Sequence, residues 1–298
     1  MLEVSQLSKS FGNLKALQDV NFTVKPGEIM GLIGQNGAGK STTFHSILQF
    51  LHYDGQITWQ HRPITEAVFD TIGYLPEERS LMPKLTVAQQ ILYLARLKNQ
   101  ATKTIRAEIG PWLDRFEVKG QPNSKIKALS KGNQQKVQLI CTLIHQPKLI
   151  ILDEPFSGLD PVNVALLETA ILNARDQGAA IIFSSHDMGN VSALCDHLVM
   201  LNRGEMVLHG ELQAIREQFG KTVITVTTDW SVERLQTLPT VTEVHALTPG
   251  RYRLIIADPA AGPTIFQALS QGRYIEEFSQ QPPSLDQIFK LKAGANHA

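Results

Sequence analysis

Apolar and polar positions along this chain alternate in two rhythms, and the rhythm changes near Pro76, near Pro147 and again near Phe219-Gly220. Up to residue 75 the pattern predicts short strands and a single helix. Leu2–Val4 and Ala16–Val24 read as strands, Pro26-Gly27 as a turn, and Glu28–Ile33 as a strand entering a glycine-rich loop. A helix is predicted from about Ser41 to Leu51. From Pro76 to Gln146 the period becomes helical. Thr86 with Gln89 forms a capping-box pattern at a helix start. Val137, Ile140, Cys141 and Ile144 recur at the spacing of one buried helix face, which Pro147 ends. Leu149–Leu152 and Ala179–Phe183 are short uninterrupted apolar runs, the pattern of parallel strands covered on both faces. A crossover helix from about Val162 to Gln177 joins them, and residues 202–205 read as a hairpin turn.

Beyond Gly220 the chain reads as a small α+β appendage. Strands are predicted at Thr222–Thr227 and Arg251–Ile256, and helices at Ser231–Leu238 and Thr264–Ser270. A second capping box, Ser284 with Gln287, opens a terminal helix, and Ala293–Ala298 are expected to fray. The predicted division is therefore 1–220 and 221–298, with a helical subdomain at about 76–147 inside the first part.

Composition narrows the function classes. Lysine plus arginine equals aspartate plus glutamate at 28 each, so no global field steers nucleic acid. Two cysteines, Cys141 and Cys195, are too few for a disulfide framework and sit in apolar stretches that suit buried thiols. No stretch near the start reads as a secretory h-region, and no apolar run approaches the ~20 residues that span a bilayer. A membrane process would need its pore from another polypeptide.

The strongest chemical signal is GQNGAGKS, Gly34–Ser41, which matches G-x-x-x-x-G-K-[ST]. Phosphate oxygens need many donors at short range. A glycine-rich turn lets backbone N–H groups converge, and the helix that follows points its positive end at the ligand. Candidate nucleotide-binding residues are Gly34, Gln35, Asn36, Gly37, Ala38, Gly39, Lys40, Ser41 and Thr42. Lys40 would reach the β- and γ-phosphates and Ser41 would ligate Mg²⁺. In LIILDEP, Leu149–Pro155, two acids stand at the end of a buried strand, the sheet edge where ligands bind. Asp153 suits Mg²⁺ and Glu154 suits polarising the water that attacks the γ-phosphate.

Between these motifs lies LSKGNQQK, Leu129–Lys136, which resembles the signature of the ATP-binding cassette (ABC) family; Lys131 and Asn133 depart from its commonest letters. SGLD, Ser157–Asp160, is similar to the family's D-loop, and FSSH ends in His186 where the family has its switch histidine. The resemblance covers about residues 1–220. It implies a P-loop ABC-type ATPase fold of the α/β class with an inserted helical subdomain. It also implies a head-to-tail dimer in which Ser130 and Gly132 of one subunit cap the γ-phosphate held by the other, with Asp160 at the seam and His186 at the γ-phosphate. Phe11, in SKSFGN, takes the place of the aromatic that stacks on adenine; an aromatic there equally suits the core. Glu77, in GYLPEERSLMP, stands where glutamine is usual and would still ligate Mg²⁺. Glu78 and Arg79 suit either partner contacts or a solvated loop.

PEERSL, LSKGNQQK and PSLDQIF further resemble sodium- and drug-exporter cassettes that carry a small C-terminal domain. The implied function is ATP hydrolysis powering export through a separate membrane permease. The cofactors would be ATP and Mg²⁺, the partners a second ABC ATPase subunit, identical or not, and an integral membrane permease. The implied location is cytoplasmic, peripheral on the inner face of the cell membrane, with no direct nucleic-acid contact. A rival is a soluble cassette ATPase acting on ribosomes or DNA. Ribosome-acting types usually hold two cassettes per chain, and DNA-repair types insert a long coiled coil. Here there is one phosphate loop, and fewer than a hundred residues without heptads separate Lys40 from Ser130. A non-hydrolysing nucleotide sensor is the third reading, against which stand Lys40, Asp153, Glu154 and His186.

Overall fold

The computed structural model describes residues 1–78 and 80–294, and the chain divides into two units, Met1–Gly210 and a second beginning at Glu211. In the first unit, strands β1 (Leu2–Phe11) and β2 (Leu14–Val24) precede β3 (Ile29–Ile33) and helix α1 (Lys40–Ile47). There follow β4 (Asp54–Trp59), β5 (Arg62–Pro63), α2 (Glu66–Phe69) and β6 (Ile72–Leu75). Helices α3 (Val87–Leu97), α4 (Thr102–Arg115) and α5 (Lys131–Leu143) come next. The unit continues with β7 (Leu149–Leu152), α6 (Pro161–Asp176), β8 (Ala180–Ser185), α7 (Met188–Leu194), β9 (His197–Asn202) and β10 (Glu205–Glu211).

All ten strands belong to one sheet in the order β5-β4-β1-β2-β10-β9-β3-β8-β7-β6. Strands β6, β7, β8, β3 and β9 pair in parallel, whereas β1 pairs antiparallel with both β2 and β4. Every residue of β3, β7 and β8 is buried, as their unbroken apolar runs require of strands covered on both faces. Burying each such Leu, Ile or Phe contributes about 1.5–3 kcal/mol.

The three helices between β6 and β7 form the expected helical region and bury Val87, Ile91, Ile105, Ile109, Phe116 and Val137. The capping box at α3 is complete: Gln89 N–H donates to Thr86 Oγ1, and Thr86 N–H donates to Gln89 Oε1. Two predicted helix ends move inward. Helix α1 stops at Ile47, before Leu51, because Gln49 turns left-handed at φ 58°. Helix α5 stops at Leu143, and Gln146 makes the same turn (φ 52°) before Pro147 is reached.

The second unit begins with α8 (Leu212–Gln218), ahead of the change in character at Phe219-Gly220. It continues with β11 (Val223–Thr227), α9 (Val232–Gln236), β12 (Val241–Thr248), β13 (Arg251–Ile256), α10 (Gly262–Ser270), β14 (Phe278–Gln281) and α11 (Leu285–Gly294). Its sheet runs β12-β13-β11-β14, antiparallel throughout. Ile224, Val226, Leu235, Leu254, Ile256 and Ile265 make its core. Strands β12 and β14 escaped the sequence reading. Apolar positions in β12 recur every third residue rather than every second, and β14 is mostly polar, so pairing with neighbours makes them strands. The second capping box forms: Ser284 N–H donates to Gln287 Oε1, and Gln287 N–H donates to Ser284 Oγ. Helix α11 includes Ala293 and Gly294; the rest of the stretch expected to fray, 295–298, lies outside the described residues, as does Arg79.

Candidate functional site

At the C-terminal ends of β3, β7 and β8, where three parallel strands stop side by side, opens a cleft of about 920 Å³. The loop from Gly34 to Gly39 wraps its floor. A Cβ on Gly34 would stand 2.5 Å from the carbonyl oxygen of Leu201. One on Gly39, whose φ of 111° suits glycine, would stand 2.8 Å from that of Ala16. Only hydrogen fits at either place. Helix α1 starts directly at Lys40, and no side chain caps it at Gly39. The first-turn amides of Lys40, Ser41 and Thr42 are therefore left for a ligand, with the helix dipole behind them.

Asn36, Gly37, Gly39, Lys40, Ser41 and Thr42 line the cleft. Gly34, Gln35 and Ala38 form its backing: the Lys40 ammonium, 7% exposed, donates to the carbonyl of Gly34 at 2.8 Å, and Gly204 N–H donates to that of Ala38 at 3.0 Å. The predicted acids arrive from the opposite wall. Asp153 is 4% exposed. Glu154 has a left-handed backbone, φ 47°, an arrangement that costs about 1–2 kcal/mol for a non-glycine residue. That turn brings its carboxylate between a lysine and a histidine: Oε1 lies 3.8 Å from Lys40 Nζ and Oε2 lies 2.9 Å from Nδ1 of the exposed His186. Glu77 also lines the cleft. The negative field is felt nearby: burial first, then the charges of Asp153 and Glu77, push the Tyr74 phenol up to about 12. Phe11 is half exposed in the cleft, with Lys9 Nζ 5.0 Å from its ring centroid, so the core position is excluded.

Ser41, Glu77 and Asp153 offer hard oxygen donors on one cleft. Among the described residues no group of three or more His, Cys, Asp or Glu encloses a metal. That set suits Mg²⁺, which binds one or two carboxylates and completes its shell with water and substrate phosphate.

Ser130, Gly132 and Asp160 are not among the cleft residues. Ser130 caps α5 from an exposed position: its hydroxyl accepts from Asn133 N–H at 3.3 Å and from Asn133 Nδ2 at 2.8 Å. Asp160 caps α6 through Asn163 N–H, and that hydrogen bond holds its carboxyl below the usual range. Helix α5 nonetheless reaches the loops beside the cleft. Gln135 donates to the carbonyls of Pro155 and Ser157, and Gln138 donates to that of Glu78.

Sequence reasoning missed several contributors. Arg203 and Lys15 line the cleft. Arg203 gets there because the hairpin turn carrying Gly204 docks on the phosphate loop, a contact with no local signal. Ser184 was visible in FSSH, but only the tertiary structure sets its hydroxyl against Asp153 and Glu154.

Residues 17–157 match the family profile described as "ABC transporter", and residues 210–293 match "ATP-binding protein DrrA1-3-like, C-terminal domain". The chain is 42% identical over 296 residues to YhaQ, an ABC transporter ATP-binding protein of Bacillus subtilis, covering 99% of each. It is 30% identical over 216 residues to LptB, the lipopolysaccharide export system ATP-binding protein of Escherichia coli, covering 70% of this chain and 90% of that one. A solved ATP-binding subunit of an ABC transporter superposes with a TM-score of 0.70 at 33% identity, over 74% of this chain and 93% of that one.

Proposed function

The chain belongs to the ABC transporter ATP-binding proteins, and from that premise we propose that it hydrolyses ATP to drive export through a separate membrane permease. ATP binding and hydrolysis come with the family. The observation that carries the residue assignment is the Glu154 carboxylate, 9% exposed, between Lys40 and His186 at the end of the phosphate loop.

The loop amides and Lys40 hold the triphosphate, and Phe11 stacks on adenine. Ser41, Glu77 and Asp153 would hold Mg²⁺, which supplies charge neutralisation on the phosphates. Glu154 accepts a proton from water as its oxygen attacks the γ-phosphorus. The bond from that phosphorus to the bridging oxygen breaks, giving ADP and phosphate. His186 orients the carboxylate and faces the γ-phosphate. Ser130 and Gly132 serve the cleft of a second ABC ATPase subunit, with Asp160 at the seam. Their absence from the cleft of their own chain supports this division. ATP then bridges two positive helix ends and closes the pair, and loss of the γ-phosphate reopens it.

No helix among the described residues is long and apolar enough to cross a membrane, and in this reading a partner supplies the pore. An apolar groove of about 270 Å³ supports a protein partner at the helical region. Phe50 and Leu97, both more than half exposed, line it beside Pro76 and Ser80 of the Glu77 loop. Residues 1–220 would be the engine, with its helical subdomain at 76–147 facing the permease, and residues 221–298 an accessory domain. The protein would then sit on the cytoplasmic face of the membrane. Export is supported by the export-system relative. The ribosome- or DNA-acting alternative lacks support in either the spacing of motifs or the relatives.

Gentle detergent extraction of cells carrying a tagged copy tests the reading. An integral membrane protein should co-purify in stable proportion. Recovery of ribosomal proteins or DNA alone would overturn it.

A further inference from the structure

Two serines end strand β8, and they do different work. Ser185 turns toward the next loop: its hydroxyl accepts from Asp187 N–H at 3.0 Å. Ser184 turns toward the end of β7. Leu152 pairs with Phe183 in the parallel register, so Ser184 stands level with Asp153, the first residue beyond β7. Its hydroxyl donates to Asp153 Oδ1 at 2.6 Å and accepts from Glu154 N–H at 2.8 Å. An amide only donates and a carboxylate only accepts, so the sense of both bonds is forced.

We infer that Ser184 is a positioning residue for both carboxylates of the hydrolytic site. This rests on the roles proposed above for Asp153 and Glu154 and deepens them. The serine is fully buried in a strand whose neighbours Ile181, Ile182 and Phe183 are apolar, and a hydroxyl there is unfavourable unless both its bonds are made. Where β7 ends, its backbone ladder ends, and the Ser184 oxygen receives the Glu154 N–H in place of a strand carbonyl. That bond holds Glu154 in its left-handed turn, which aims the side chain at Lys40 and His186. The other bond fixes the rotamer of Asp153 and leaves Oδ2 for the cleft. One hydroxyl thereby couples the metal-facing acid to the water-facing one.

Ser184→Thr and Ser184→Val test this, because the two replacements share a shape and differ by the hydroxyl. Each is compared with the parent for hydrolysis and for ATP affinity by calorimetry, once with Mg²⁺ and once with EDTA. The valine variant should lose about 10–100-fold in kcat and most of the affinity that Mg²⁺ adds, as expected for loss of a hydrogen bond behind a metal ligand. Its affinity in EDTA should stay near the parent's, and threonine should restore both quantities. Equal behaviour of the valine and threonine variants would overturn the inference, and so would an equal loss of affinity with and without Mg²⁺. If the parent itself hydrolyses no ATP, the proposed function fails instead.

Discussion

The phosphate loop with its two acids and the Ser130 end of helix α5 carry two of the chain's most distinctive motifs, yet they are built in opposite ways. Lys40 and Asp153 are buried and face groups from distant parts of the same unit, Glu154 and Ser184 respectively. Ser130 is exposed, among the described residues its hydroxyl is engaged only by Asn133 of its own helix, and it is not among the residues lining the cleft. The first region is held in place by burial: strand ends, a left-handed turn and a buried lysine fix its charges where the proposed reaction would develop charge. The second is a positive helix end presented to solvent and waiting for an anion. The difference teaches how the proposed head-to-tail pairing would use one chain: a buried cleft that would hold the nucleotide, and an exposed helix end that would complete the cleft of a second copy.

The largest effect expected comes from breaking the buried half. Glu154→Gln keeps the shape and removes the proposed base. It should bind ATP normally and hydrolyse it about 10²–10⁴-fold more slowly, measured as phosphate release. Turnover near that of the parent would remove Glu154 from the role of base. In the same slow background, Ser130→Arg tests the exposed half. The substitution should abolish ATP-dependent pairing by light scattering while ATP affinity of the single chain holds, because Ser130 is not part of its own cleft. Loss of affinity in the unpaired chain would break the comparison.

A smaller effect sharpens the contrast between the two ends of α5. Just past its far end, His145 is buried and its Nε2–H donates to the Ile72 carbonyl at 3.3 Å, while Nδ1 has no hydrogen-bond partner among the described residues. Burial pushes the imidazole down to about 4, with the Lys98 charge acting the same way and the Ile72 hydrogen bond and Asp70 opposing. Between pH about 6.5 and 4 the unfolded chain therefore holds a proton that the folded one lacks. Stability is intact above that window and falls as the pH drops through it, by roughly 2–3 kcal/mol. Urea midpoints at pH 7 and pH 4.5 measure the slope, and His145→Gln should flatten it.

Elements were legible where their signal is local. The apolar runs of β3, β7 and β8, both capping boxes and the phosphate loop follow from neighbouring residues alone. The residues proposed for the buried half were marked in the same local way, by a glycine-rich loop and by acids at a strand end, and the fold brings most of them to one cleft. Strands β12 and β14 were not legible, because their pattern lacks a two-residue period and long-range pairing supplies what propensity does not. Helix α1 was read too long because nothing before Gln49 announces a left-handed residue.

By itself the sequence determined the chemistry available: which groups could bind phosphate, which acids stand at the sheet edge, and which helix end is exposed. Only the tertiary structure decided their company. Ser184 meets Asp153 and Glu154 through the register of two parallel strands, Arg203 enters the cleft through a docked hairpin, and Gln135 and Gln138 reach the loops that follow β7 and β6. Those contacts join residues far apart in the chain. Strand register and helix packing set them, and both are properties of the whole core rather than of any segment.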